Sequence, residues 1–187
     1  TVPQSIARAD LLPRIRRDPA YLHRADLRVY AGWAPDSASL NPAAVNWGRA
    51  AGRLDSYRLV QAPGPGNPLG RVKFMFPNRH NVYIHDTPET GLFDHARRTY
   101  SSGCIRIDRP MALARALLAR TDGWDPARID RVVRAGRTVR ARLDTPVPVR
   151  IVYRTAWVDG DGTLQVRPDI YGRDAELARR MATADGS

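Results

Sequence analysis

YIHDTPETGLFDHARRTYSSGCIRIDRP, residues Tyr83 to Pro110, holds the chain's single cysteine and two of its four histidines. Cys104 sits on a Ser-Ser-Gly-Cys-Ile-Arg turn, and His85 ends the apolar run Val82-Tyr83-Ile84 nineteen positions upstream. A lone cysteine can be a small buried hydrophobe, an odd thiol awaiting a partner chain, or a nucleophile matched with a histidine distant in sequence but close in the fold. The neighbours favour the third. Ser101, Ser102 and Gly103 make a small, polar, flexible approach that lets backbone come close to a substrate and leaves N–H groups free for an oxyanion. Ile105 and Ile107 alternate with Arg106 and Asp108 as in a short strand, which sets the thiol where a turn meets a sheet.

A cysteine nucleophile needs a base in hydrogen-bond reach, and the base needs a third group to fix its tautomer. His85 is the candidate base. Asp86 is the candidate for the third group, through its side chain or its backbone carbonyl. Arg106, two residues beyond Cys104, is expected on the thiol's face, roughly 6–7 Å away at Cα. A guanidinium there would favour a thiolate and could grip a carboxylate; the alternative is a brace, through an ion pair with Asp108 or another acid.

IHDTP followed by LF, and then SSGCIR, resembles the catalytic centre of the L,D-transpeptidases of bacterial peptidoglycan, the YkuD-type fold, and within them a long-insert branch. Most of the wider family reads Ser-His-Gly-Cys at the turn; Ser102 fills the His position here, as in that branch. VPQSIARADLLPRIRRDP, GPGNPLGRVKFMFPN and TAWVDGDG…RPDIYGRD resemble the branch as well. The resemblance implies an α+β fold: a mainly β catalytic core with peripheral helices and an inserted helical cap. It assigns residues 1–56 to a substrate-capping insertion and 57–187 to the catalytic core, with the family's first strands absent from this chain.

The same resemblance implies a reaction that forms 3–3 cross-links between stem peptides through a thioester on Cys104, with His85 as general base and acid. Gly103 N–H and the region of Ser102 would hold the oxyanion, and Tyr83, Ser101 and Arg106 would contact substrate. It further implies acylation by carbapenem-type β-lactams, a role in wall biogenesis and cell shape, and a place in the periplasm or envelope of a Gram-negative bacterium. Two rivals use the same residues differently. An L,D-carboxypeptidase or cysteine peptidase would pass the thioester to water, and a non-catalytic wall-binding module would bury an inert Cys104.

Composition narrows the remaining classes. The chain of 187 residues is 43% hydrophobic, enough for one domain with a real core. No apolar run approaches the ~20 residues that span a bilayer, and no secretory signal is present. One cysteine excludes an internal disulfide framework. A net charge of +11 is a balance that can mark a nucleic-acid binder, but only Lys73 is lysine and the arginines are scattered, so a basic surface and no nucleic-acid partner is the reading. Four scattered histidines and one cysteine make no metal ligand set, and no cofactor is expected.

Helices are expected over Ile6–Leu12, capped by Ser5, then from Pro13 to a stop at Asp18-Pro19, and over Ala20–Arg24. Leu27–Ala31 and Tyr57–Gln61 read as strands. The short helices and the turn-rich stretch Asp36–Gly48 together suggest that residues from about Val2 to Gly52 form a mobile lid with a poor core of its own. Gly64, Gly66 and Gly70 lack the Gly-Lys-Ser/Thr of a phosphate loop. Arg71–Phe76 should pair with Asn81–Ile84, leaving His80 on a solvated loop; His95 is read as structural. Helices from Pro110 to Arg120, from Asp125-Pro126 and over Ala175–Met181 are expected. Strands are expected at Thr138–Leu143, Val147–Val158 and Leu164–Arg167, the last two joined by the Asp159–Gly162 turn, which lacks the ligands of a calcium loop.

Overall fold

The computed structural model describes residues 1–101 and 103–184, which divide after Pro146 into two compact units. The first opens with a nearly continuous helical run. Helix α1 (Gln4–Ile6) passes through a π turn at Ala7–Leu11 into α2 (Leu12–Arg17). Pro13 explains the π turn: it has no N–H to give Ala9 and its ring crowds that carbonyl, so the ladder widens there and Leu12 N–H reaches Ala7 O instead. The N-cap is Pro3, not Ser5, which falls inside α1. Asp18 adopts an extended conformation and ends the run before Pro19.

Helix α3 (Tyr21–Arg24) leads into strand β1 (Leu27–Ala31), the centre of an antiparallel sheet in the order β2 (Ser39–Leu40), β1, β3 (Tyr57–Gln61). Helix α4 (Trp47–Ala50), capped by the Asn46 side chain on Arg49 N–H, precedes a 3-10 segment at Ala51–Ser56. The sheet runs across position 56/57, where the sequence places the edge of the capping insertion. Val2 N–H bonds to Leu59 O at 2.8 Å, and Gln4 Nε2 donates to the carbonyls of Leu54 and Tyr57, tying the first helix to β3.

This opening third carries the principal core. The buried apolar cluster runs from Ala7 to Leu59, with Ile15, Leu22, Val29 and Leu54 essentially inaccessible and Trp47 at its rim donating Nε1–H to Pro42 O. Burying each large apolar side chain contributes about 1.5–3 kcal/mol. The expectation of a poor core is therefore reversed. Short helices read as weak one by one, but alternate inward residues of β1 (Leu27 and Val29) give them a common apolar floor.

A second small sheet follows in the order β4 (Lys73–Phe74), β5 (Ile84–His85), β6 (Ile105–Arg106). The expected pairing of the 71–76 segment with the 81–84 segment is formed, antiparallel, with Lys73 opposite His85 and Phe74 opposite Ile84. The pairing of β5 with β6 is parallel. Parallel neighbours need a long connection, and the chain from Asp86 to Cys104, with a 3-10 segment at Thr90–Asp94, supplies it. Helices α5 (Pro110–Leu118) and α6 (Pro126–Arg134) come next, each with proline in its first turn; Asp125 caps α6 on Arg128 N–H.

The second unit, from Val147 onward, contains the hairpin of β7 (Ala156–Val158) and β8 (Leu164–Val166) and the helix α7 (Asp174–Ala184). Its turn closes through Asp159 N–H to Thr163 O, and Trp157 Nε1 donates to Asp159 Oδ1. Tyr153 donates its hydroxyl to Asp169 Oδ1 at 2.7 Å. The expected strand at Thr138–Leu143 does not form, and that at Val147–Val158 is confined to its last three residues. Val147, Val149, Ile151 and Val152 alternate or cluster as a strand would, yet they lie exposed and no described segment offers them a ladder partner. No helix among the described residues is long and apolar enough to cross a membrane.

Amide hydrogen exchange measures the reversal directly. The paired amides of β1 and β3 should be protected longer than those of the 71–84 segment, which is mostly exposed. Faster exchange in β1 and β3 would favour a mobile lid.

Candidate functional site

Three short strands put the chemistry on one surface. In the parallel pair, Ile84 lies opposite Ile105 and His85 opposite Arg106. Ile105 N–H bonds to Tyr83 O at 3.0 Å and Ile107 N–H to His85 O at 3.1 Å, so Tyr83 and Cys104, each one step before its strand, are also opposed. Side chains alternate across a sheet. One face therefore carries Tyr83, His85, Cys104 and Arg106, joined from β4 by Lys73, the partner of His85. Phe74, Ile84 and Ile105 belong to the other face.

His85 is 4% exposed, and its Nδ1 meets the backbone oxygen of Asp86 at 2.5 Å. Of the two orienting groups the sequence left open, the geometry uses the carbonyl. The Asp86 carboxylate turns away: Oδ2 accepts from Arg71 N–H at 2.8 Å and Arg71 Nε at 2.9 Å, and Oδ1 accepts from Thr87 N–H. Burial alone would raise the Asp86 pKa, but these three donors together hold it below the usual carboxylate value. Gly70 packs against this carboxylate at φ +59°; a Cβ there would overlap Asp86 as well as strain the backbone.

Tyr83 is buried, edge-on to the His85 ring at 5.8 Å between centroids. Burial, the charge of a Cys104 thiolate and a hydrogen bond to the Cys104 side chain push its phenol up to about 12. The hydroxyl thus stays protonated as a donor beside the sulfur. Lys73 Nζ lies 3.9 Å from the centre of the same ring. Cys104 is half-buried and free.

Gly103 has φ +124°, a conformation that glycine takes without strain, and its N–H donates to Ser101 Oγ at 3.2 Å. Ser102 lies outside the described residues. Arg106 Nη1 donates to Tyr100 O at 2.9 Å and Nη2 faces Glu89 Oε2 at 3.5 Å, so the guanidinium bridges the two ends of the long connection. Its acidic partner is Glu89 and not Asp108. His80 is exposed next to Arg79, and His95 is exposed with its ring edge-on to Tyr100. Among the described residues no group of three His, Cys, Asp or Glu side chains is placed to hold a metal ion.

Sequence reasoning missed Lys73, Arg71 and Glu89. Lys73 is the only lysine, in a segment read from the sequence as an alternating strand paired with Asn81–Ile84, but its place opposite His85 is set by the register of the sheet.

The His85 pKa is lowered from 6.5, first by burial and then by the positive charges of Arg106 and Lys73, against the opposing pull of the Asp86 carbonyl and carboxylate. A folded value below the unfolded one favours the neutral ring. The corresponding stability is complete above the ordinary value and is lost as pH falls through the folded value. NMR titration should find His85 titrating below 6.5; a midpoint at or above 6.5 would refute this electrostatic description.

The sequence pattern of the YkuD family, described as the L,D-transpeptidase catalytic domain, matches residues 1–151. A Haemophilus influenzae protein named "Putative L,D-transpeptidase" is 33% identical over 175 residues, which is 94% of this chain and 34% of that protein. The chain therefore spans about a third of the length of this relative. With the match covering most of the sequence, the chain belongs to the YkuD family of L,D-transpeptidase catalytic domains.

Proposed function

We propose that this chain is the catalytic part of a peptidoglycan L,D-transpeptidase that joins stem peptides by 3–3 cross-links through a thioester on Cys104. The observation that carries the reading is the strand register, which opposes Tyr83 to Cys104 and sets His85 on the same face. A neutral imidazole whose Nδ1 is held by the Asp86 carbonyl leaves Nε2 for a proton. His85 takes the thiol proton, and the sulfur attacks the carbonyl carbon of the third residue of a tetrapeptide stem. The C–N bond to the leaving D-alanine then breaks, with the proton passing from His85 to the departing amine. An acceptor amine attacks the thioester carbon, displaces the thiolate and gives up its proton to His85.

The tetrahedral oxygen would be held by N–H groups of the Ser102–Cys104 turn. In that step it would replace the Ser101 hydroxyl now bonded to Gly103 N–H. Losing one such donor costs about 2.7–4 kcal/mol in other acyl-transfer enzymes. The Tyr83 hydroxyl and Ser101 line the approach, and Arg106 braces it by holding the Tyr100 carbonyl. Residues 1–56 cap the substrate groove as a packed block. The setting is the envelope of a Gram-negative bacterium, and carbapenem-type β-lactams would acylate the same sulfur. Water in place of the amine would give an L,D-carboxypeptidase.

Product analysis with a tetrapeptide donor, with and without an amine acceptor, separates these outcomes. The amine should give the cross-linked product in excess over hydrolysis. Cys104→Ala should abolish both products, and His85→Ala should lower both by 10²-fold or more, the scale of a lost general base, with the melting temperature nearly unchanged for Cys104→Ala. Hydrolysis alone would favour the carboxypeptidase, and product formation by Cys104→Ala would end the thioester mechanism.

A further inference from the structure

Of the 30 basic residues in the chain, 29 are arginine and one is lysine. That lysine, Lys73, stands on β4 directly opposite His85, on the face that carries Cys104. Arginine and lysine differ as ligands: the guanidinium is a rigid planar fork suited to fixed bracing, and the ammonium is a compact, mobile point charge with three donors. The cations around this face divide along that line. Arg71 is committed to the Asp86 carboxylate, and Arg106 is committed to Glu89 and the Tyr100 carbonyl. Lys73 forms no ion pair with any described carboxylate; its ammonium rests 3.9 Å above the centre of the Tyr83 ring. An aromatic face satisfies an ammonium without using up its hydrogen-bond donors in a fork, so the charge can still accept an anion.

We propose that Lys73 is the recognition site for a carboxylate of the acyl-donor peptide, which it draws onto the sheet face beside Cys104. The proposal rests on the acyl-transfer reading above. Three observations converge on it. The face holds two cations, only one of which is balanced by an acid of the protein, so it is left with an excess positive charge for an anionic substrate. Tyr83 links the two ends of the site, with its ring under the Lys73 ammonium and its backbone position opposed to Cys104 across the β5–β6 pair. Lys73 is opposite His85 on β4 and Cys104 is opposed to Tyr83 on the far side of the same strand, so the ammonium and the reacting sulfur flank β5 on one face. A carboxylate at Lys73 would thus be held close to the carbonyl under attack. An arginine in the same place would demand a planar, two-pronged approach, which a mobile ammonium does not.

Two carboxylates of a donor peptide share this chemistry: the C-terminal one on the leaving residue and any internal side-chain carboxylate. The experiment compares the unmodified chain with Lys73→Met on three donors: the free tetrapeptide, the same peptide amidated at its C-terminus, and the same peptide amidated at its internal carboxylate. The rate of acyl adduct formation on Cys104 is followed by intact mass as a function of donor concentration. Lys73→Met should raise the half-saturating concentration of the free donor on the order of tenfold, the scale of one charge-assisted hydrogen bond, with a smaller effect on the rate at saturation. One of the amidated donors should bind the unmodified chain as weakly as Lys73→Met binds the free donor and should show no further loss in the variant; which of the two does so identifies the carboxylate. A loss of equal size on all three donors, or one confined to the saturating rate, overturns the proposal and makes Lys73 a residue that acts on His85 or Cys104. Lys73→Gln repeats the comparison with a polar side chain, and thermal melting of both variants shows whether they remain folded. If the unmodified chain forms no adduct with any donor, the acyl-transfer reading itself fails; if it forms adducts that Lys73→Met matches at every concentration, only the carboxylate site fails.

Discussion

Two backbone hydrogen bonds, Ile105 N–H to Tyr83 O and Ile107 N–H to His85 O, hold the candidate site together. They fix the parallel register of β5 and β6, and a slip of one residue would send either Cys104 or His85 to the opposite face. Because each strand is only two residues long, the pair cannot hold its register by length alone. The connection between them is therefore braced from both ends. Arg106 reaches across to Glu89 near its start and to the Tyr100 carbonyl near its finish, although partly exposed ion pairs of this kind each contribute only about 0–1 kcal/mol. The hydrogen bond to the carbonyl, made by a charged donor on a largely covered guanidinium, is the stronger restraint.

His85 depends on a second restraint on its other side. Its ring is held by the Asp86 carbonyl, and that carbonyl is fixed because the Asp86 carboxylate is pinned by Arg71 and Thr87 and packed against Gly70. A carboxylate beside a histidine would ordinarily be read as the group that orients it. Here the carboxylate anchors the peptide and the peptide orients the ring. With Arg106 and Lys73 on the two neighbouring strands, the surroundings favour a neutral imidazole, which is the form a general base requires. The well-packed first sixty residues stand beside this lightly built sheet as the main store of apolar burial.

Much of the site was legible because its residues break local patterns. Cys104 is unique and sits on a Ser/Gly turn, and His85 ends an apolar run at a proline-bounded loop; both signals are local and survive without knowledge of the fold. The antiparallel partner of β5 was legible from alternation and a short turn. The parallel partner was not, because nothing in the eighteen residues between His85 and Cys104 states which edge the chain returns to. Lys73 was missed for a related reason: its importance comes from being opposite His85 and from having no acid, and both are tertiary facts. The first sixty residues misled in the other direction, since helices of three to six residues look weak until β1 supplies the surface they share. From Thr138 to Val152 the apolar alternation is real, but alternation specifies a strand only where another strand is present to complete its ladder.

The central claim is that the sulfur of Cys104 accepts an acyl group from a tetrapeptide stem. Intact-mass measurement after incubation with a tetrapeptide muropeptide, followed by peptide mapping, tests it most directly. The expected result is a mass increase equal to the donor minus its terminal D-alanine, carried by the peptide that contains Cys104 and released on addition of an amine. An unchanged mass, or an adduct on any other residue, would contradict it.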